Sequence, residues 1–329
     1  MTRIVSFFGD RSDTFERLNR RAAEYAASRG LDYEWVPLTP FSEDAVVAAL
    51  NGADAGIIDV EPYGEPIFSR LSEQVKLLVR FGVGYDRVDV EAATRHGIAI
   101  GRTVGANTMG VAEMALTLLM AARRQLKRIS GLVEAGDWQK VVVNETVGGT
   151  VGIMGFGSIG RALARLLAGF DCEILAYDPF LTDADAAVLG VRRVDLSTLF
   201  ARSDAISVHV PYTEETHHIV SDELLGLMKP SAVIVNTARG NIIDEDALYR
   251  ACRDGQIRGA ALDVFAEEPL PLTSPLLELD NVILTPHLSS QTEESLWRIY
   301  AMAIDIAADF LAGDVSRFVL NPEAVGTRR

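Results

Sequence analysis

Three short polar stretches carry the residues that could do chemistry, and each follows an apolar run that reads as a strand. After 232–236 comes Thr237-Ala-Arg-Gly240, after 260–262 comes Asp263-Val-Phe-Ala-Glu-Glu-Pro269, and after 282–284 comes Thr285-Pro-His-Leu-Ser-Ser290. An imidazole such as His287 moves protons near neutrality. A carboxylate on its far side, Glu268 or Glu267, would orient it and favour the charged ring. Arg239 offers a planar, permanently charged fork for a substrate carboxylate. Together these suit the reduction of a 2-keto acid, in which the carbonyl oxygen takes a proton while its carbon takes a hydride.

A hydride needs a donor, and 151–160, Val-Gly-Ile-Met-Gly-Phe-Gly-Ser-Ile-Gly, predicts where one would bind. An apolar, β-branched run at 150–154 leads into a glycine turn and then a helical pattern. Gly155 permits the turn, Gly157 lets backbone approach a pyrophosphate, and Gly160 lets helix and strand pack closely. The unpaired N–H groups where that helix opens, near Ser158, attract the anion. A second strand, 173–177, ends in Asp178, close to the spacing expected for an acid that bonds the adenosine ribose. Such an acid favours NAD over NADP, whose 2′-phosphate it repels.

The elements that must position these groups repeat in a βα rhythm. Strands are expected at 150–154, 173–177, 205–209, 232–236, 260–263 and 282–284, with helices between, notably 221–228 and 244–253. This is a doubly wound parallel sheet, a Rossmann domain over 105–290, with ligands beyond the carboxyl ends of its strands. Before it, strands at 4–8, 55–59 and 77–81 and a helix at 14–29 form a smaller α/β unit. The helical stretch 292–311 is expected to pack back on it, giving a discontinuous substrate domain of 1–104 and 291–329. One 23-residue helix is expected over 107–129, with Val111, Met114, Ala115, Leu118, Leu119 and Ala122 on one face and Arg123, Arg124, Lys127 and Arg128 as a basic cluster at its end.

Composition narrows the classes. The chain has 329 residues, 48% hydrophobic and 23% charged, which allows two domains with cores. A net charge of −15 argues against a nucleic-acid surface. Two cysteines, Cys172 and Cys252, without ligand spacing, give no disulfide framework and no metal site. No signal-peptide pattern or long apolar run is present, so a cytoplasmic protein without membrane partners is expected.

At these residues the sequence closely resembles the D-isomer-specific 2-hydroxyacid dehydrogenase family. The matching segments are FGVGYDRVD (81–89), NTMGVAE (107–113), VGIMGFGSIGRALA (151–164), HVPYTEETHHIV (209–220), VNTARGNIIDEDAL (235–248), RGAALDVFAEEP (258–269) and TPHLSS (285–290). The resemblance implies a flavodoxin-like substrate domain, an NAD cofactor, a small D-2-hydroxy acid or 2-keto acid as substrate, and a homodimer in which the helix after Asn107 embraces the partner. It implies Arg239 as the substrate-binding arginine, Glu268 rather than Glu267 as the histidine's partner, and His287 as acid/base. The amides of Val83 and Gly84 would hold the substrate carboxylate, with Asn107 nearby. NAD contacts would come from Thr108, Gly155, Gly157, Ser158, Ile159, Gly160, Asp178, His209, Pro211, Thr216, Thr237, Ala238, Asp263 and His287. Substrate choice is expected to rest on residues around Tyr63, Phe81 and Trp297.

Departures sharpen the resemblance. Formate dehydrogenases of this kind carry Gln where Glu268 stands, and phosphite dehydrogenases carry Lys where Val83 stands. The chain ends about 40 residues after His287, too soon for the C-terminal regulatory domain of many phosphoglycerate dehydrogenases. Segment 176–192 is similar to the C-terminal-binding-protein corepressors, but Ser289, Ser290 and Gln291 follow the histidine where that branch has a Trp. A dimeric NAD(H)-sensing protein of the corepressor type is therefore the alternative, and it would not need Arg239, Glu268 and His287.

Overall fold

A computed structural model describes residues 2–38 and 40–326. It divides into two compact units, one of 1–107 with 292–329 and one of 108–291.

The first unit is built on five parallel strands: β1 (Thr2–Ser6), β2 (Leu31–Trp35), β3 (Ala55–Ile58), β4 (Leu77–Arg80) and β5 (Ala99–Arg102). Their order is β2-β1-β3-β4-β5, the flavodoxin-like arrangement. β3 is buried at every position, as expected of a strand with both faces covered. Helix Glu293–Leu311 covers one face with Leu296, Ile299, Tyr300, Ala303, Ile304, Ala307 and Phe310, spaced three or four residues apart. It starts where the Thr292 hydroxyl accepts the Ser295 N–H at 3.1 Å, and is pinned to helix Asp13–Ser28 and its cap by Tyr25–Asp305 (2.9 Å) and Arg29–Asp309 (2.6 Å).

Tyr63 and Phe81 are buried in the hydrophobic clusters of this unit, Phe81 in the one that the helix covers, and Trp297 is partly buried against that same cluster. Phe81 stacks on Phe8 with ring centroids 3.6 Å apart, Tyr63 is fully buried, and Trp297 lies under Arg21. Burial in the core is where large aromatic side chains such as Tyr63 and Phe81 contribute most.

The second unit holds seven parallel strands: β6 (Thr150–Met154), β7 (Glu173–Tyr177), β8 (Arg192–Arg193), β9 (Ala205–Val208), β10 (Val233–Asn236), β11 (Gly259–Leu262) and β12 (Val282–Leu284). The order is β12-β11-β10-β9-β6-β7-β8. Six strands were expected, and the seventh, β8, is a two-residue edge paired with Leu175 and Ala176. β6 pairs with β7 on one side and β9 on the other, from Val151 opposite Ala205 to Met154 opposite Val208. That junction is where the strand order reverses, so the crevice for a ligand opens beyond it.

The single helix over 107–129 is broken. It runs Thr108–Arg123, and a second helix follows at Leu126–Glu134, because Gln125 takes a left-handed backbone with φ 49°. Within the basic cluster, Arg124, Lys127 and Arg128 are exposed and Arg123 is not. Arg123 is buried and donates to the carbonyls of Asp204 and Glu145, while Lys127 donates to those of Leu279 and Val282 at 2.8 and 2.9 Å. These two cations thus satisfy main-chain carbonyls outside their own helices.

Candidate active site

The glycine turn shows a separate physical need at each position. Gly155 has φ +97°, and a Cβ there would lie 2.6 Å from the backbone of His209 and Val210. At Gly160 a Cβ would lie 2.3 Å from the Gly155 carbonyl oxygen. Gly157 faces open space, with nothing within 4 Å of that position. Helix Ser158–Leu167 begins there with no side-chain cap, and its first intrahelical bond is Arg161 N–H to the Gly157 carbonyl, at 3.0 Å. The N–H groups of Ser158, Ile159 and Gly160 therefore remain for an anion. Asp178 stands beside the turn, its carboxylate accepting the N–H of Phe156 and of Phe180, each at 2.8 Å.

Further along the same strand ends, two polar atoms are buried without a partner: Nδ1 of His209 and the Thr237 hydroxyl. His209 Nε2 lies 2.9 Å from the Ser207 hydroxyl, and burial pushes the imidazole down to about 4, so it is neutral at pH 7. Orphaned donors and acceptors of this kind fit a polar ligand that completes them. With the open glycine and the uncapped helix, the residues present suit a dinucleotide. Thr216 is otherwise engaged, because its hydroxyl donates to the Pro211 carbonyl at 2.8 Å and accepts the Thr213 N–H at 2.7 Å. It shapes the exposed loop that carries Pro211.

The three strand ends that follow bring His287 and Glu268 together. His287 Nδ1 lies 2.8 Å from Glu268 Oε2, which leaves Nε2 as the ring nitrogen not engaged by the carboxylate. Burial opposes ionisation of Glu268, yet the bonds from His287 and the Phe265 N–H, with the charges of His287 and Arg239, hold its carboxyl below the usual range. Arg239 itself donates to the Ala238 carbonyl at 2.7 Å. His287 sits at φ 52°, a backbone that a non-glycine residue keeps only where its surroundings enforce it.

Asp263 supplies that enforcement. Fully buried, it accepts the Thr285 hydroxyl at 2.6 Å, the Leu288 N–H at 3.0 Å and the Ser289 N–H at 2.9 Å, and also the Ser289 hydroxyl. The carboxylate thus ties both flanks of His287 to the end of β11.

Two residues were missed by reasoning from the sequence. Asn236, the last residue of β10, accepts the Ala238 N–H at 3.0 Å and donates to the Arg239 carbonyl at 2.8 Å. An Asn at a strand end that bonds backbone two or three residues on is a readable turn signal. Gly240 packs so tightly on the next loop that a Cβ would fall 1.9 Å from the Phe265 carbonyl carbon. Only the pairing of β10 with β11 reveals it.

Val83, Gly84 and Asn107 lie in the first unit. After β4, the Gly82 N–H donates to the Thr103 hydroxyl at 3.0 Å, and the Thr103 N–H returns to the Gly82 carbonyl at 2.9 Å. Among the described residues, the Val83 and Gly84 N–H groups donate to no protein acceptor. Asn107 Oδ1 is buried without a partner. Thr108 opens the first helix of the second unit.

A parallel sheet with this strand order and a glycine turn at its switch point defines the dinucleotide-binding class of α/β proteins. Within that class, the model of the D-isomer specific 2-hydroxyacid dehydrogenase NAD binding domain matches residues 116–289. A glyoxylate reductase of Korarchaeum cryptofilum is 36% identical over 301 residues, 89% of this chain and 90% of the relative. A glyoxylate/hydroxypyruvate reductase B of Yersinia pestis is 35% identical over 316 residues, 94% and 95% of the two chains. Among solved structures, the apo D-lactate dehydrogenase of Escherichia coli superposes with a TM-score of 0.84 at 29% identity, covering 97% of this chain and all of that one. The chain belongs to the D-isomer specific 2-hydroxyacid dehydrogenases and is an NAD-dependent enzyme of that family.

Proposed function

We propose that this enzyme interconverts a small 2-keto acid of the glyoxylate or hydroxypyruvate type and the corresponding D-2-hydroxy acid, with His287 as acid/base, Glu268 as its partner and Arg239 as the substrate fork. The observation that carries this reading is the 2.8 Å contact between His287 and Glu268, after β11 and β12 at the same carboxyl edge of the parallel sheet as the glycine turn. The substrate preference is drawn from the two reductases that match nearly end to end.

NADH, when bound, supplies the hydride. Ser158, Ile159 and Gly160 would hold its pyrophosphate, Asp178 its ribose, and Thr237 and His209 the nearby polar groups. Arg239 binds the substrate carboxylate through paired N–H donors, and in the first unit the amides of Val83 and Gly84 suit an anionic group. His287 Nε2 then gives its proton to the carbonyl oxygen in reduction and takes it back in oxidation. Glu268, held ionised, keeps Nδ1 protonated and the ring in place.

The dyad weighs against a purely NAD(H)-sensing role, since sensing requires no proton donor. The exposed apolar side chains Leu126, Val133, Trp138, Val142 and Val147 support a homodimer in which a second copy covers them. Two free cysteines fit a reducing, cytoplasmic compartment, and no helix among the described residues is long and apolar enough to cross a membrane.

The test is absorbance at 340 nm with NADH and a panel of 2-keto acids, using wild type and His287→Ala. Reduction of glyoxylate or hydroxypyruvate, lowered ~10²- to 10⁴-fold by the substitution with NADH affinity retained, supports the reading. Full turnover by His287→Ala overturns it.

A further inference from the structure

The stretch after Arg239 places a second carboxylate behind the dyad. Asp244 caps helix Glu245–Arg253, its Oδ1 accepting the N–H groups of Asp246 and Ala247, both at 3.0 Å. Glu245 is therefore free of capping, and its Oε1 instead accepts the Ala266 N–H at 2.7 Å. One residue earlier, the Phe265 N–H goes to Glu268 Oε1 at 3.0 Å. Two consecutive amides of one turn are each held by a carboxylate, and only one of the carboxylates belongs to the dyad.

Gly240 also presses on the same peptide, between Phe265 and Ala266. The turn is gripped by β10's loop and by the helix that follows it. A neutral acceptor would satisfy the Ala266 N–H with a smaller desolvation cost, so the charge at Glu245 calls for another role. The titratable groups around Glu245 are Asp246 on its own helix, His218 from the loop after β9 and Glu268 from the turn it holds. Glu268 in turn faces His287 and Arg239. Burial, reinforced by Asp246 and Glu268 and opposed by the Ala266 N–H and His218, lifts the Glu245 carboxyl above the usual range.

We propose that Glu245 is a positioning residue for the acid/base pair: it fixes the turn at 263–268 so that Glu268 keeps its hold on His287, and its charge behind Glu268 favours the protonated ring. This rests on the roles given above to His287 and Glu268.

The experiment measures keto-acid reduction from about pH 5 to 9 for wild type, Glu245→Ala, Glu245→Gln and His287→Ala, with NADH binding by fluorescence and melting by circular dichroism. Glu245→Ala is expected to lower kcat by ~10- to 100-fold, the cost of a misplaced group, with NADH affinity and melting close to wild type. Glu245→Gln keeps an oxygen for the Ala266 N–H and should recover most of kcat, while the alkaline limb of its profile moves to lower pH. Wild-type kcat and pH profile in Glu245→Ala, or losses in both variants that merely follow melting temperature with no movement of the alkaline limb, overturn the proposal. His287→Ala separates the two failures. Retained turnover there sinks the dyad itself, whereas an inactive His287→Ala beside normal Glu245 variants sinks only the role of Glu245.

Discussion

Across 19 residues of chain, His287 Nδ1 meets Glu268 Oε2 at 2.8 Å, from a backbone held at φ 52°. The histidine's position is thus imposed by two carboxylates with different tasks. Glu268 acts on the ring, and Asp263 acts on the chain that presents it.

Replacing Glu268 by Gln removes the negative charge but keeps the side chain's size. The Glu268 carboxyl lies below its usual range, so its charge persists throughout the neutral region. Without it the imidazolium loses support, and the alkaline limb of keto-acid reduction should move to lower pH, with kcat at pH 8 falling more than at pH 6. Steady-state profiles of the two proteins decide it, and superimposable limbs would refute the coupling.

Asp263→Ala should separate the chain's task from the ring's. Its loss orphans the donors of Thr285, Leu288 and Ser289 inside the protein, at a cost of about 2–4 kcal/mol. Melting and urea titration should show that loss, together with a fall in kcat. An Asp263→Ala protein as stable as wild type would mean that the loop at 285–289 is held by something else.

The glycines of the turn should fail in different ways. Gly157→Ala adds a methyl group to open space, so stability should stay within about 1 kcal/mol while NADH affinity drops. Gly160→Ala drives a methyl group into the Gly155 carbonyl oxygen and should cost about 1–3 kcal/mol in stability. Calorimetric melting beside NADH titration distinguishes the two, and equal losses in both proteins would contradict the geometry.

His209 makes stability depend on pH. Its folded pKa is pushed down to about 4, whereas an unfolded histidine titrates near ~6.5. The stability it contributes is complete above the unfolded value and is lost as pH falls toward the folded one, because only the unfolded chain takes the proton. The loss amounts to about 3 kcal/mol at most. His209→Asn should flatten that part of the curve, and identical slopes between pH 6.5 and 4 would rule the histidine out as its source.

Much of this was readable because a parallel sheet buried on both faces writes its strands as apolar runs, and the polar groups of interest follow directly after them. The glycine turn, Arg239, His287 and the pair Glu267–Glu268 all stand out that way, and only the family resemblance prefers Glu268 within the pair. What escaped depends on tertiary contact. β2, with Leu-Asp-Tyr-Glu-Trp buried on alternate residues, is an edge strand whose period is short and half polar. β8 is two arginines that only their pairing makes a strand. The break at Gln125 has no glycine or proline to announce it, since the apolar helical period runs through to Leu126. Asp263 was read as a cofactor contact, and the four donors that surround it come from a loop more than twenty residues away, a relationship no local pattern carries.

Gly240 sets a limit on how this enzyme can change. Its α-carbon packs on the peptide between Phe265 and Ala266, so the turn presenting Arg239 and the turn presenting Glu268 form a single casting. Neither can be shifted to suit a larger or smaller acid without carrying the other along. Drift in substrate range must therefore come from residues outside that block, which leaves proton transfer constant while the choice of acid varies.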